Sequence, residues 1–191
     1  MGRWEPDAKS RLERAALELY GDGGFEQTTV AEIAKRAGLT ERTFFRYFSD
    51  KREVLFAGAD RLKSLLVDEV TEAPASATPI EAVAGALEVA ASVLQDNREF
   101  AQRRQNAITT NAELQERELI KLASLASAMA EALRERGVPE PTASLTGEAG
   151  IAIFKVAFER WTDESNDVEL AQLIRDSLRE LRLLTANDSS R

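Results

Sequence analysis

Helix-start signals recur along this 191-residue chain and limit most narrowly what it can fold into. In a capping box, a small polar side chain bonds the third helical N–H and an acid three residues later reaches back to the cap. Four segments match this pattern: Thr29-Val30-Ala31-Glu32, Thr78-Pro79-Ile80-Glu81, Thr110-Asn111-Ala112-Glu113 and Asn166-Asp167-Val168-Glu169. Apolar residues keep helical spacing between them, and only 10 glycines and 5 prolines interrupt the chain. The sequence therefore predicts an all-α protein of about nine helices.

The segment from Thr29 to Phe48 predicts two short helices joined by a tight turn at Gly38, with Thr40 as the second N-cap. This is the outline of a helix-turn-helix. Its expected small core is Ile33, Ala34, Leu39, Phe44 and Phe48. We expect a three-helix, helix-turn-helix domain over residues 1–50, one connecting helix over 51–70 and a C-terminal helical bundle over 71–191. The geometry alone also fits an ordinary helical hairpin with a charged face.

Charge is unevenly distributed along the chain. The whole chain has a formal net charge of −8, yet Lys35 to Arg52 holds six basic and two acidic residues. A basic patch on an otherwise acidic protein is the electrostatic footprint of nucleic-acid binding. A run of this kind is also found on solvated helix faces, so charge alone leaves both interpretations open.

The chain contains no cysteine and no histidine. Disulfides, Cys nucleophiles, His general bases and the usual zinc ligands are therefore excluded, and we expect no metal, no cofactor and no enzymatic activity. No apolar stretch approaches the ~20 residues of a membrane span, and the N-terminus lacks the apolar core of a signal peptide. These features predict a cytoplasmic protein with no membrane partner.

The stretch G-F-x-x-T-T-V-x-x-I-A-x-x-A-G-L-T-x-x-T-F-F-R-Y-F-x-x-K begins at Gly24 and ends at Lys51. It resembles the DNA-binding domain of TetR-type repressors, and the resemblance extends over about Ala16 to Leu55. The resemblance implies about nine helices, a variable C-terminal regulatory domain, and homodimers that leave a palindromic operator when a small molecule binds.

Carried onto this sequence, the resemblance implies DNA contacts at nine positions: Thr28, Thr29, Thr40, Arg42, Thr43, Phe45, Arg46, Tyr47 and Lys51. Thr28 and Thr29 would lie near phosphate, Arg42 and Thr43 would face base edges, and Lys51 would clamp a phosphate. The family usually has Tyr where this chain has Phe45, which either contacts a thymine methyl group or packs inside the domain. Arg3 is a candidate to reach a minor groove; the alternative is that this arm is disordered or that Trp4 packs on the domain.

The second half predicts an interface and a cavity. Residues 149–158 are almost entirely apolar, so this helix must be buried on more than one face. The resemblance places a four-helix dimer interface on the last two helices, with Ile151, Lys155, Leu170, Ile174, Leu178 and Leu181 as candidates; a monomeric core is the alternative. Candidates to line a cavity for a small, largely apolar ligand are Phe100, Arg104, Met129, Phe154, Phe158 and Trp161, each of which could equally be plain core.

The leading hypothesis is a ligand-responsive repressor. Two other classes stay open at this point: a helical adaptor that keeps the helix-turn-helix scaffold but binds protein, and a carboxylate-based enzyme. Sequence-specific, salt-sensitive binding to a palindrome is expected only of the repressor.

Overall fold

The structure, a computed structural model, describes residues 8–186 of the chain. Within that range it contains nine α-helices and no β-strand, which confirms the all-α prediction. The helices are α1 (Ala8–Gly23), α2 (Val30–Arg36), α3 (Glu41–Tyr47), α4 (Ala59–Glu72), α5 (Pro79–Gln95), α6 (Arg98–Thr109), α7 (Ala112–Glu135), α8 (Thr142–Thr162) and α9 (Leu170–Ala186), and a 3-10 helix (Glu53–Phe56) precedes α4. None of these helices has the length and apolar character needed to cross a bilayer.

Two of the four predicted capping boxes form as expected. The carboxylate of Glu32 accepts hydrogen bonds from the backbone N–H and hydroxyl of Thr29, and Glu81 does the same for Thr78. The other two starts were predicted wrongly. Asn111, not Thr110, caps α7 by accepting from the N–H of Leu114, and α9 begins only at Leu170.

The chain divides into two compact units. The first contains the described residues up to Ala59 together with Phe100–Glu118; the second contains Asp60–Glu99 and the residues from Leu119 onward. Most of α6 and the first part of α7 therefore belong to the unit that carries the helix-turn-helix. The functional boundaries expected at residues 50 and 70 stay a prediction, because compactness does not show which residues bind DNA or ligand.

The first unit is built around the apolar side of α1. Leu12 and Ala16 are fully buried there, together with Ile33 of α2 and Phe44 of α3. Phe48 is buried and Leu39 is half-buried against the same cluster. The small core predicted for the helix-turn-helix is thus confirmed.

The single helix predicted from Lys51 to Val70 is wrong. The chain forms a 3-10 helix over Glu53–Phe56 and starts α4 only at Ala59. Three consecutive residues in this short helix, Val54, Leu55 and Phe56, are all buried. Successive side chains of an α-helix are rotated by about 100° around the helix axis. Three consecutive side chains therefore point in directions too different to lie on the one buried face of a surface helix. A tight local turn followed by Gly58 accommodates them instead.

The second unit packs α5, α8 and α9 against one another. Close packing depends on Gly150 of α8, where an added Cβ would collide with the side chain of Val83 on α5. Beyond Gly150, α8 buries Phe154, Ala157 and Trp161. The almost wholly apolar stretch of α8 thus supplies the centre of this unit.

Candidate DNA-binding surface

The turn between α2 and α3 fixes the direction of the second helix. Gly38 adopts φ +67°, a backbone conformation that is costly for residues with a Cβ. The N–H of Gly38 donates to the carbonyl of Lys35, and the N–H of Leu39 donates to the carbonyl of Ala34. Thr40 then caps α3 by accepting a hydrogen bond of 3.2 Å from the N–H of Thr43. The predicted turn and N-cap are confirmed.

One face of α3 anchors it and the opposite face is exposed. Phe44 is fully buried, whereas Glu41, Arg42, Phe45 and Arg46 are exposed. Residues three and four apart lie side by side on a helix. Arg42, Phe45 and Arg46 therefore form one continuous surface, and the structure brings these predicted DNA-binding residues together.

Arg46 and Tyr47 form a pair on this surface. The Arg46 guanidinium donates a 3.0 Å hydrogen bond to the Tyr47 hydroxyl and lies 4.8 Å from the centroid of its ring. Tyr47 is itself partly exposed. The pair limits the rotamers of both side chains at the surface.

Phe45 does not pack inside the domain. It is 55% exposed and touches Phe44 edge-on, with ring centroids 5.4 Å apart. Of the two interpretations left open by the sequence, burial is wrong, and the outer face of the ring is available to a partner.

Two residues predicted to contact phosphate, Thr28 and Lys51, make hydrogen bonds within the chain. The hydroxyl of Thr28 is buried and donates a 2.9 Å hydrogen bond to the carbonyl of Gly24, so it holds the chain between α1 and α2 together. The Lys51 ammonium donates to the carbonyls of Phe25, Glu26 and Thr28 at 2.8–3.2 Å. All three of its N–H donors are used, so Lys51 fastens the same loop. Thr29 stays exposed, with its hydroxyl in the capping box.

Lys51 is held in place by further contacts. Its ammonium lies 4.3 Å from the ring centroid of Phe25, and its carbonyl accepts a 2.6 Å hydrogen bond from the Tyr20 hydroxyl. Burial raises the pKa of Tyr20 above its ordinary value, and the nearby Asp50 carboxylate raises it further. Tyr20 therefore remains a hydrogen-bond donor at all physiological pH values.

Some of the local positive charge is neutralised by neighbouring acids. Arg36 pairs with Glu18 at 2.9 Å, and Arg52 pairs with Asp50 at 2.9 Å. The hydrogen bond from the Arg52 side chain lowers the pKa of Asp50 below its usual range. Among the residues that the structure describes, Lys35 and Arg42 have no acidic partner, so Arg42 supplies unneutralised charge at the start of α3. Arg3 lies outside the described residues.

The predicted ligand-binding residues separate into two groups. In the second unit, Phe158 lies 5.4 Å from Phe154 and 5.5 Å from Trp161 between ring centroids. Met129 of α7 lies against Gly150 of α8, the helix that carries these three aromatic residues. The indole N–H of Trp161 is buried and has no acceptor among the described residues.

Phe100 and Arg104 belong to the first unit, and the predicted role of Arg104 as a ligand anchor is not supported by its surroundings. Its guanidinium donates to the carbonyl of Leu55 at 2.7 Å and to the Glu118 carboxylate at 3.0 Å, and it lies over the ring of Phe56. Burial lowers the pKa of Arg104, and Glu118 opposes that shift. Phe100 packs on the core cluster of the first unit.

A second set of ion pairs joins the α6–α7 hairpin to the 3-10 helix, and sequence reasoning missed it. Arg117 pairs with Glu53, and Arg52 lies 3.9 Å from Glu113. The pairing residues are far apart in the sequence, so no local pattern could have indicated them.

Three of the six residues predicted for the dimer interface are buried within the chain. They are Ile151, Leu170 and Ile174, on helices α8 and α9, which pack against each other and against α5. Leu178 and Leu181 are half-buried, and Lys155 is exposed. A different apolar face of α8 is open to solvent, with Leu145 67% and Val156 49% exposed. Ala149 and Ala152 lie between them at helical spacing, which the sequence alone could have indicated.

Comparison with known proteins decides the family. The model for bacterial regulatory proteins of the tetR family matches residues 13–57, which include the whole helix-turn-helix. A second model, the MftR C-terminal domain, matches residues 77–184, more than half of the chain. The chain belongs to the TetR family of bacterial regulatory proteins. It is thus of the class of helix-turn-helix, DNA-binding transcriptional regulators.

The similarity to curated TetR-family relatives is confined to part of their length. The regulator TcmR of Streptomyces glaucescens is 33% identical over 88 residues, which cover 46% of this chain and 39% of TcmR. BetI of Rhizobium meliloti is 36% identical over 86 residues, which cover 44% of this chain and 42% of BetI. The chain therefore aligns with about two fifths of each of these relatives.

Solved structures resemble the TetR-family chain over nearly all of its length. The repressor FadR of Thermus thermophilus, solved with lauroyl-CoA, is 27% identical with a TM-score of 0.56, and the alignment covers 90% of this chain and 91% of that one. FadR of Bacillus subtilis, solved with stearoyl-CoA, is 21% identical with a TM-score of 0.62, covering 89% and 95%. The second similarity shows the shared fold alone.

Proposed function

We propose that two copies of this chain bind a palindromic operator in the cytoplasm and repress transcription until a small, largely apolar ligand releases them. The observation that carries the proposal is the exposed surface of Arg42, Phe45 and Arg46 on a capped and anchored α3. In this proposal Arg42 contacts base edges, since a guanidinium matches the two acceptors of guanine. Thr29, Thr40, Thr43 and Tyr47 contact phosphate or neighbouring bases.

The exposed apolar face of α8 is the proposed dimer interface. Leu145, Ala149, Ala152 and Val156 lie on one side of the helix, at intervals of four, three and four residues. The two alanines would let a second α8 approach closely, while the larger residues at each end supply apolar area. Leu183 and Leu184 near the end of α9 are exposed as well and would extend the interface. A twofold arrangement matches the symmetry of a palindrome.

The ligand proposed here is a long-chain acyl-CoA. The support is the lauroyl-CoA complex of a structure that is 27% identical over 90% of this chain. In this proposal an acyl chain inserts among Met129, Phe154, Phe158 and Trp161, which form a largely buried apolar and aromatic cluster, and the unpaired N–H of Trp161 donates to a carbonyl oxygen. An unpaired buried donor costs about 1–3 kcal/mol, so a ligand acceptor at this point would be favourable.

Helix α6 provides the proposed route from ligand to DNA. At its start, within the second unit, Arg98 donates to the carbonyls of Trp161 and Asp163 at 2.9 and 3.0 Å. Six residues later, within the first unit, Arg104 holds the carbonyl of Leu55 and the carboxylate of Glu118. This distance is roughly 9 Å along a helix. A change around Trp161 would thus be transmitted over one and a half turns to the base of the helix-turn-helix.

The test begins with selection of bound duplexes from a random DNA pool, followed by titration of the selected complex with lauroyl-CoA. We expect a palindrome whose half-site centres are about 34 Å apart, or a multiple of that distance, and release of the protein by the acyl-CoA but not by free CoA. Recovery of DNA with no shared sequence would favour the adaptor and would contradict the proposal. Sequence-specific DNA binding that no acyl-CoA weakens would contradict only the proposed ligand.

A further inference from the structure

The exposed ring of Phe45 has a defined neighbourhood on α3. It lies three residues from Arg42 and next to Arg46, whose guanidinium is turned to Tyr47. Its contact with Phe44 is edge-on, and more than half of the side chain stays exposed. If this face of α3 enters the major groove, the exposed ring beside Arg42 would contact base edges.

The chemistry of the major groove restricts what such a ring can contact favourably. Base edges there present hydrogen-bond donors and acceptors, and the only apolar group is the 5-methyl of thymine. Phe45 has no hydroxyl or amide with which to satisfy a donor or an acceptor. Pressed against cytosine or guanine, it would remove water from polar atoms without replacing their hydrogen bonds.

We propose that Phe45 reads the methyl group of one thymine in each half-site and so determines operator specificity at that position. This rests on the proposed function, because it requires α3 to enter the major groove. Neighbouring residues on a helix face have Cβ atoms about 5–6 Å apart, and stacked bases are about 3.4 Å apart. The thymine should therefore lie within two base pairs of the base contacted by Arg42.

The test replaces each thymine of the selected operator, one at a time, with deoxyuridine, which removes only the methyl group. For the wild type we expect about a fourfold loss of affinity at one thymine per half-site, the value of one buried methyl group at about 0.8 kcal/mol. Deoxyuridine at that position in both half-sites should lower the affinity about fifteenfold. Deoxyuridine at the other positions should change affinity by less than twofold.

Two variants complete the test. Phe45→Ala should bind thymine and deoxyuridine operators equally at that position, whereas Phe45→Leu should keep part of the preference. Val93→Ala, also a truncation to alanine at an exposed residue but in the second unit, should keep the full preference for thymine over deoxyuridine. Circular dichroism should show an unchanged fold for Phe45→Ala, since most of the ring is outside the core.

The outcomes separate this inference from the proposed function. Sequence-specific binding with no methyl dependence, or the same methyl dependence in Phe45→Ala, would overturn the role of Phe45 alone. Absence of sequence-specific binding in the wild type would overturn both.

Discussion

The ammonium of Lys51 illustrates how a cation beside a DNA-binding helix can serve the fold instead of the ligand. Its three hydrogen bonds end on carbonyls of the loop between α1 and α2, and the ammonium itself lies over the ring of Phe25. Removing it would leave the partly buried carbonyl oxygens of Phe25 and Thr28, and the exposed one of Glu26, without this donor. The position of α2, and through it α3, depends on this one side chain.

We therefore predict that Lys51→Met lowers the free energy of unfolding by about 1–3 kcal/mol, measured by urea denaturation. Lys35→Met, at an exposed position of α2, is the matched control and should change it by less than about 0.5 kcal/mol. A direct phosphate contact would give a different result: stability would be unchanged, and the slope of log affinity against log salt would fall by about one.

Trp161 is the residue at which the ligand proposal can be observed directly. Its indole is buried between Phe158 and the core, and its N–H has no acceptor among the described residues. In a Trp4→Phe background, where Trp161 is the single tryptophan, lauroyl-CoA should change its fluorescence in a saturable way. Trp161→Phe should weaken acyl-CoA binding about two- to tenfold, the value of one hydrogen bond.

The acyl-CoA could instead act elsewhere in the chain. Operator release by lauroyl-CoA without any change in Trp161 emission would show this and would remove Trp161 from the site. Free CoA, which lacks the acyl chain, is the control and should leave the emission unchanged.

At the level of elements, the sequence predicted structure well where the determinants are local. The caps of α2, α3 and α5 and the turn at Gly38 each depend on residues within five positions of one another. The break between the 3-10 helix and α4 was not predictable in this way. It depends on three successive side chains being buried by distant parts of the first unit, and periodicity carries no information about that burial.

The same limit applies to the candidate sites. The exposed residues of α3 were predicted because buried Phe44 and Phe48 fix which face is free. For Arg104, nothing nearby in the sequence indicates Leu55 or Glu118 as its partners. The interface has the same limit: α8 is apolar on two sides, and spacing alone cannot tell which side meets α5.

The Arg104–Glu118 pair should couple ligand to DNA rather than bind either. We predict that Arg104→Met combined with Glu118→Leu leaves acyl-CoA affinity and operator affinity within about threefold of the wild type. Replacing both members of this partly buried pair avoids an uncompensated charge. The ability of acyl-CoA to lower operator affinity, expected at roughly 5–150-fold in the wild type, should fall several-fold.

The readout for this prediction is operator affinity with and without saturating lauroyl-CoA. Arg103→Met, an exposed neighbour on the same helix, should keep the full effect. Unchanged coupling in the double variant would place the route between ligand and DNA outside this ion pair.

For the whole molecule, the dimer interface determines whether two recognition helices can act together. We predict that Val156→Asp yields monomers at micromolar concentration, measured by sedimentation velocity, because it replaces one of the two large apolar side chains of this α8 face with a charge. Operator affinity should fall by more than tenfold, as each half-site is then bound alone.

Val93→Asp makes the same change at a valine with the same 49% exposure on α5. It should leave the dimer and its operator affinity intact. Dissociation by Val93→Asp but not by Val156→Asp would move the interface from α8 to α5.

The central claim is that this TetR-family chain reads DNA sequence with the exposed face of α3. The most direct measurement is fluorescence anisotropy of wild type and Arg42→Ala on the selected operator and on a scrambled duplex of the same composition, at several salt concentrations. We predict that the wild type prefers the operator by about a thousandfold or more at physiological salt. Arg42→Ala should lose about 1–3 kcal/mol on the operator and little on the scrambled duplex. Equal affinity of the wild type for both duplexes would contradict the account.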